Sequence, residues 1–198
     1  MPRSGADAHR RLQQSALELF RKHGYSGTTA AQIARRAGFT ERTFFRHFPD
    51  KRDILFDGQA RIEAAMVGAV RTAPRELAPM QILRLAIQST VPVFEENRVF
   101  SAMRRAVIDA TPVLQEREQG NMAAMMLSVS SALKKKGIEA GTATLAVQIG
   151  AVLFSCAIKS WHSEEAHDLG THIDRAFAAL RRLANNQNKV SERGSGSW

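Results

Sequence analysis

The segment TTAAQIARRAGFTERTFFRHFPDK, residues 28–51, carries the strongest local structure signals in the chain. Thr29 begins a T-x-x-Q capping box, and Gly38 follows as a residue that tolerates the left-handed conformation at a helix end. Thr40 suits the start of a second helix, which Pro49 ends because proline does not continue a helix. The segment therefore predicts two short helices separated by a tight turn.

The second of these helices combines aromatic and cationic residues, which requires two different faces. Phe44 and Phe48 lie four positions apart, on one side of the helix, and we expect both to be buried. The opposite side carries Arg42, Thr43, Arg46 and His47. This arrangement is typical of a helix-turn-helix motif, whose second helix enters the DNA major groove. Lys51 follows at the start of the next helix, where we expect it to pair with a phosphate.

The positive charge of the chain is concentrated around this motif. The formal net charge is +9; residues 1–52 contain 11 Lys and Arg against 4 Asp and Glu, whereas residues 53–198 contain 17 against 15. Such asymmetry indicates an N-terminal module for a polyanion and a nearly neutral body with another task.

Helical periodicity continues along the rest of the chain, without a convincing alternating strand. The first helix ends at Gly24, and a long fourth helix is predicted over residues 51–72. Pro92 should kink or shorten the helix in which it lies. We predict an all-α protein of about nine helices, the later ones near residues 79–95, 97–109, 112–136, 142–164 and 168–185.

At residues 28–51 the chain resembles TetR-type transcriptional regulators. It matches nearly every fixed position of the family pattern TT-x-x-x-IA-x-x-AG-[VF]-[ST]-x-x-T-[LF]-[YF]-x-HF-x-x-K. The resemblance implies a homodimer that reads a palindromic DNA operator, and a C-terminal domain in which a small molecule binds and releases the DNA. Most such proteins repress and a few activate. By motif position, the implied DNA contacts are Thr29, Thr43, Phe45, His47 and Lys51.

Three residues depart from the common pattern or occupy a variable position in it. Arg42 stands where many relatives have glycine, and Phe45 where many have tyrosine, so a hydroxyl that could bond a phosphate is lost. Arg46 could read guanine through two hydrogen bonds or could contact a phosphate. The operator sequence therefore does not follow from the resemblance.

The resemblance also predicts a DNA-binding domain at 7–52 and a ligand-binding and dimerisation domain at 53–186, and the polar, Gly/Ser-rich last segment predicts a disordered tail at 187–198. Methionine and aromatic residues of the body could line an apolar cavity or form ordinary core. The candidates are Met66, Phe94, Phe100, Met103, Met122, Met125, Met126, Phe154 and Trp161. Since the body is nearly neutral, we expect a largely apolar inducer.

The last two helices correspond in order to the pair through which such regulators dimerise. One carries a stripe of small residues and the other a set of apolar partners, which would permit close packing. The predicted interface residues are Ala143, Ala146, Gly150, Ala157, Ile173, Phe177 and Leu180.

Other classes of function lack a local signature. The chain contains no G-x-S-x-G elbow, Walker loop, H-E-x-x-H or C-x-x-C, so an enzyme is not expected, although catalysis without a motif stays open. His162, His167 and His172 are spaced by five and do not share one helical face, so we predict neither a metal site nor a cofactor. Cys156 is predicted to be a core thiol.

A membrane-surface protein is the remaining alternative, and it would need one continuous basic amphipathic helix. The basic residues here are spread over three short helices. No apolar run approaches the roughly 20 residues of a membrane span, and the first residues lack the apolar core of a signal peptide. A cytoplasmic location is therefore expected.

Overall fold

The computed structural model describes residues 5–96, 98–164 and 166–194, with side chains up to residue 185. All regular structure within these residues is helical, which confirms the predicted all-α class. The helices are α1 (Gly5–His23), α2 (Ala30–Ala37), α3 (Glu41–His47), α4 (Asp53–Phe56), α5 (Gln59–Thr72), α6 (Pro79–Gln88), α7 (Val91–Glu95), α8 (Arg98–Asp109), α9 (Pro112–Lys135), α10 (Ala140–Ser163) and α11 (Leu169–Gly194).

Two of these helices are short pieces of segments that were predicted to be continuous. The predicted fourth helix, 51–72, is divided into α4 and α5 by a turn at Asp57 and Gly58, and glycine is a weak helix former. The predicted helix over 79–95 is divided into α6 and α7. Pro92 lies in the first turn of α7, where its missing N–H costs nothing. The prediction that Pro92 shortens its helix is confirmed.

The chain forms two compact units, which we call the first and the second unit. The first comprises the chain up to residue 60 together with 96–124, and the second comprises 61–95 and the chain from residue 125 onward. Two of the three boundaries fall within α5 and α9, and the third lies between α7 and α8. The first unit thus contains the predicted 7–52 domain plus α8 and half of α9. Helix α11 extends to Gly194, into the predicted tail 187–198, of which residues 195–198 lie outside the described residues.

The core of the first unit gathers the apolar sides of its short helices. Leu12 of α1, Ile33 of α2 and Phe44 of α3 are all fully buried, as is Ile108 of α8. Burying a side chain of this size stabilises a fold by about 1.5–3 kcal/mol. Because α2 and α3 are too short to be stable alone, this shared core is what holds them in place.

The core of the second unit is built around α10, which packs against α6 and α11. Its small residues lie at these contacts: a Cβ added to Gly150 would lie 3.5 Å from Leu83 Cδ1 and 3.7 Å from Ile87 Cδ1. The predicted small-residue stripe of α10 is therefore occupied by contacts within the chain.

Helix α10 corrects two expectations drawn from the sequence. It is long and apolar enough to cross a membrane by length and composition, with a mean hydropathy of 1.7 in its most apolar window. A core helix of a soluble protein passes the same test, and one face of α10 is packed against α6 and α11. Cys156, predicted to be buried, is exposed. Its small and apolar neighbours belong to two faces of the helix, and only some, such as Phe154 and Ala157, point inward.

Candidate DNA-binding site

Helix α2 begins and ends as the sequence predicts. The Thr29 hydroxyl accepts a hydrogen bond from the Gln32 N–H at 3.2 Å, and Gln32 Oε1 accepts one from the Thr29 N–H at 2.8 Å. This reciprocal pair is the predicted capping box. Gly38 closes the helix with φ of 77°, in the left-handed region where glycine has no steric penalty. The turn that follows leads directly into α3.

Helix α3 is likewise defined at both ends by its own residues. The Thr40 hydroxyl accepts a hydrogen bond from the Thr43 N–H at 3.2 Å, and the two threonine hydroxyls lie 3.1 Å apart. Phe48 has extended backbone angles, φ −134° and ψ 105°, which the following Pro49 favours. The residues at its two ends therefore limit this helix to seven residues.

The two faces predicted for α3 are present. Phe44 and Phe48 are 0% and 1% exposed, and their rings lie 5.7 Å apart. Arg42, Phe45 and Arg46 are exposed, with Phe45 at 47%. Within the described residues neither arginine forms an ion pair, so both guanidinium groups are available to an anionic partner. An aromatic ring between two such cations suits the edge of a DNA groove.

Residues 13–57 match the family model described as bacterial regulatory proteins, tetR family. This part of the chain is a TetR-type DNA-binding segment. This TetR-type segment begins within α1 and ends just after α4, so the match spans the helix-turn-helix and the helices that brace it.

Similar proteins include TcmR of Streptomyces glaucescens, an HTH-type transcriptional regulator that is 35% identical over 80 residues, which are 40% of this chain and 35% of TcmR. MftR of Mycobacterium tuberculosis is 29% identical over 104 residues, 52% of this chain, so the matched segments span 35% of TcmR and 52% of MftR. FadR of Bacillus subtilis, solved with stearoyl-CoA, has a TM-score of 0.62 at 16% identity, over 86% of this chain and 96% of FadR. FadR of Thermus thermophilus, a TetR-family repressor solved with lauroyl-CoA, has a TM-score of 0.51 at 22% identity, over 87% and 92%. At such identities the similarity shows the fold alone.

Lys51 of the TetR-type segment is largely engaged within the protein. Its ammonium group donates hydrogen bonds to the backbone oxygens of Tyr25 and Thr28, at 2.8 and 2.7 Å, and lies 4.0 Å from the centroid of the Tyr25 ring. Burial lowers the pKa of Lys51. Because a lysine has three N–H donors, one remains for a phosphate. Lys51 therefore fixes the turn between α1 and α2, a role the sequence did not reveal because the acceptors are backbone atoms.

His47 is half-buried rather than turned fully outward. Its Nε2 is buried and has no hydrogen-bond partner among the described residues. Burial lowers the pKa of His47, and the neighbouring Arg46 and His9 lower it further. The imidazole is therefore neutral near pH 7. His9, whose ring lies 5.8 Å from that of His47, itself bonds Asp57 at 2.8 Å.

Other basic residues in and beside the TetR-type segment brace its helices. Arg36 of α2 pairs with Glu18 of α1, and the Arg11 guanidinium lies 5.0 Å from the centroid of the Phe39 ring in the turn. These contacts tie α2 and the turn to α1. Thr29, by contrast, is exposed at the start of α2, beside backbone N–H groups that favour an anion.

A polar cluster that sequence reasoning missed joins α8 and α9 to α4, which follows the helix-turn-helix. Glu118 accepts hydrogen bonds from Arg104 at 3.0 Å and Arg105 at 2.5 Å. Arg104 also donates to the backbone oxygen of Leu55 in α4, and burial lowers the pKa of Arg104. The cluster explains why the first unit extends beyond residue 52. Residues so distant in sequence give no local signal.

The nine residues predicted to line a ligand cavity are divided between the two units. In the first unit, Phe100 and Met103 pack against its core, and Met122 is half-buried. In the second unit, the Phe94 ring meets Phe154 and Trp161 edge-on, at centroid distances of 5.6 and 6.4 Å. The remaining members of the second unit are Met66, Met125 and Met126, of which the first two are buried.

The predicted dimer residues are mostly covered by their own chain. Leu180 is half-buried, and the others are buried within the second unit: Ala143, Ala146, Gly150, Ala157, Ile173 and Phe177. Among the described side chains of the same two helices, the large hydrophobic residues that are exposed are Leu145, Val152 and Leu183, at 58%, 62% and 68%. These three define what we call the outer face of α10 and α11.

Proposed function

We propose that this protein is a cytoplasmic TetR-family repressor that binds a palindromic operator as a homodimer and is released by a small, largely apolar molecule. One observation carries the proposal. The short helix α3 is anchored by Phe44 and Phe48 and presents Arg42, Phe45 and Arg46 to the outside. A seven-residue helix with two exposed, unneutralised arginines gains little stability from them, so their use lies in an anionic partner.

Within this proposal, the residues of α3 have different tasks. Arg46 reads a guanine edge in the major groove, since a guanidinium matches the two guanine acceptors. Phe45 makes apolar contact with a thymine methyl group, and Arg42 contacts the phosphate backbone. Thr29 and the first N–H groups of α2 add a phosphate contact at the start of that helix.

We further propose that the homodimer forms through the outer face rather than through the small-residue stripe. Along α10, Leu145, Ile149, Val152 and Cys156 recur at spacings of four, three and four, the repeat of helices that pack side by side. Leu183 extends the apolar surface onto α11. A second copy of the chain would cover this face and form a four-helix arrangement. A dimer also supplies the two half-sites that a palindrome requires.

An apolar ligand is supported by the second unit and by its structural relatives. Met66, Met125, Phe154 and Trp161 give this unit a buried set of methionine and aromatic side chains, which adapt to apolar ligands. The two FadR structures hold stearoyl-CoA and lauroyl-CoA. We propose a ligand with a long apolar or aromatic portion, and acyl thioesters are the first class to test.

Selection of bound sequences from random duplex DNA tests the operator proposal. We expect enrichment of a palindrome, and Arg46→Ala should weaken binding to it by about 1–3 kcal/mol while leaving binding to random duplex nearly unchanged. Arg35→Ala is the matched control, because Arg35 is an exposed arginine on α2 and its loss should weaken both duplexes alike. No enrichment, or equal loss on both duplexes for Arg46→Ala, would contradict base reading by α3.

A further inference from the structure

The connection between α10 and α11 brings one carboxylate and two imidazoles together. Glu164, His167 and His172 each offer a potential metal-ligand atom, and these atoms all lie within 4.8 Å of one another. Glu164 follows the last residue of α10, His167 lies in the turn, and His172 lies in the first turn of α11. The spacing by five was judged as if one helix carried these histidines, whereas His167 lies in the turn between α10 and α11 and so comes beside His172.

His172 is the fixed and buried member of this group. It is 2% exposed, and its buried Nε2 has no hydrogen-bond partner among the described residues. Buried polar atoms in folded proteins are almost always satisfied, so such an atom calls for an explanation. The ring of His167 stands edge-on to that of His172, with centroids 6.0 Å apart. A metal ion between the two rings would give the buried nitrogen a partner.

A positive charge already lies at this group. The guanidinium of Arg175 is 3.2 Å from Glu164 Oε2 and 3.0 Å from His167 Nε2. Its pair with Glu164 is about half exposed on both sides, and exposed ion pairs are weak. The guanidinium therefore holds the carboxylate and the outer imidazole together, but it is a partner that a more strongly bound cation can displace.

We propose that Glu164, His167 and His172 form a binding site for a divalent first-row transition metal of the Zn²⁺ type, with Arg175 displaced on binding. Two imidazoles and one carboxylate favour such metals over Mg²⁺ and Ca²⁺, which prefer all-oxygen sites. Zinc–ligand bonds of about 2.0–2.2 Å require the three ligand atoms to approach to about 3.3 Å. Glu164 and His167 are exposed at a helix end and a turn, so they can close onto the buried His172.

The neighbouring acid Asp168 caps α11, so three protein ligands are available among the described residues. Its Oδ1 accepts a hydrogen bond from the Thr171 N–H at 2.6 Å and so caps α11. A tetrahedral metal would then keep one position for water or for an added ligand. Since the metal would join the end of α10 to the start of α11, binding should stabilise the folded second unit. This metal site depends neither on DNA binding nor on the apolar ligand.

The test is a titration of the full chain, without a histidine tag and after treatment with a chelator, using Zn²⁺ alone and then Co²⁺. We expect one metal per chain, a raised melting temperature with Zn²⁺, and the visible absorption of tetrahedral Co²⁺. His167→Ala and Glu164→Gln should each lower the affinity about tenfold or more. Arg175→Gln should raise it, because the competing cation is removed. His23→Gln, on the exposed end of α1, is the control.

Several outcomes would overturn the proposal. Less than one metal per chain, or equal affinities for the wild type, His167→Ala and Glu164→Gln, would each contradict the site. Weaker binding by Arg175→Gln would contradict the displacement of the arginine. His172→Gln alters a buried residue, so its helical content is checked by circular dichroism. If it does not fold, His167→Ala and Glu164→Gln decide the question, because both residues are exposed.

Discussion

Replacing Lys51 by methionine separates its role inside the protein from a role on DNA. The substitution keeps most of the aliphatic stem and removes the ammonium group, which donates two hydrogen bonds, at 2.7 and 2.8 Å, to the carbonyls of Thr28 and Tyr25. A hydrogen bond to a charged group contributes about 1.5–3 kcal/mol, and the contact with the Tyr25 ring adds about 0.5–1 kcal/mol. Both hydrogen bonds share the cost of dehydrating one ammonium group. We therefore expect the free energy of unfolding to fall by about 2–3 kcal/mol.

The assay is urea unfolding followed by circular dichroism, at one fixed protein concentration because the stability of a dimer depends on concentration. The midpoint should fall while the slope m stays the same. Arg42→Met is the matched control: it removes an exposed cation from the same segment and should change stability by less than about 0.5 kcal/mol. The salt dependence of DNA binding is measured in parallel for both variants.

Two results would refute this reasoning. If Lys51→Met were as stable as the wild type and only the salt slope of DNA binding fell by about one unit, Lys51 would be a phosphate contact alone. If Arg42→Met destabilised the protein as much as Lys51→Met, the loss would reflect the charge of the segment rather than the two carbonyl contacts.

The remaining predictions concern the dimer, the ligand and pH. Leu145→Glu combined with Val152→Glu should give helical monomers in sedimentation, whereas Gly150→Glu should lose helical content, because a side chain there meets Leu83; helical monomers from Gly150→Glu would contradict this. Operator DNA should weaken binding of an acyl ligand by about 1–3 kcal/mol in calorimetry, and equal affinities with and without DNA would exclude it as the inducer. The pKa of His47 is lower in the folded protein than in the unfolded chain. The contribution of His47 to folding stability is therefore present above the unfolded pKa and is lost as the pH falls below about 6.5. His47→Gln should therefore reduce the loss of stability between pH 7 and 5, as measured by urea unfolding, and an unchanged loss would contradict this.

The helix-turn-helix was predictable because its signals are local. Thr29, Gly38, Thr40 and Pro49 act through hydrogen bonds and backbone angles within a few residues, and the structure has each in the expected role. The buried pair of phenylalanines followed from helical spacing in the same way. Local chemistry of this kind needs no knowledge of the rest of the fold.

The residues that escaped prediction depend on partners far away in the chain. Lys51 bonds carbonyls 23 and 26 positions earlier, and Arg104 bonds Leu55, 49 positions earlier. The sequence could suggest only that a lysine beside a DNA-binding motif meets phosphate, because backbone acceptors carry no residue signature. The break of the fourth helix at Asp57 and Gly58 had a visible signal, because Asp-Gly is a turn-forming pair, but helical periodicity outweighed it.

The outer face of α10 and α11 shows why a pattern of small residues in the sequence was ambiguous. Helix α10 is apolar around most of its circumference, which is also why it passes a test for membrane spans. Close packing inside the chain, against α6 and α11, requires small residues such as Ala143 and Gly150. A face that a second chain covers needs larger apolar side chains, such as Leu145 and Val152, which are more than half exposed. Helix α10 is apolar on opposite sides, but its own chain packs only one of them. A partner on the other side best explains this, so we expect the second copy of the chain to bind that exposed side.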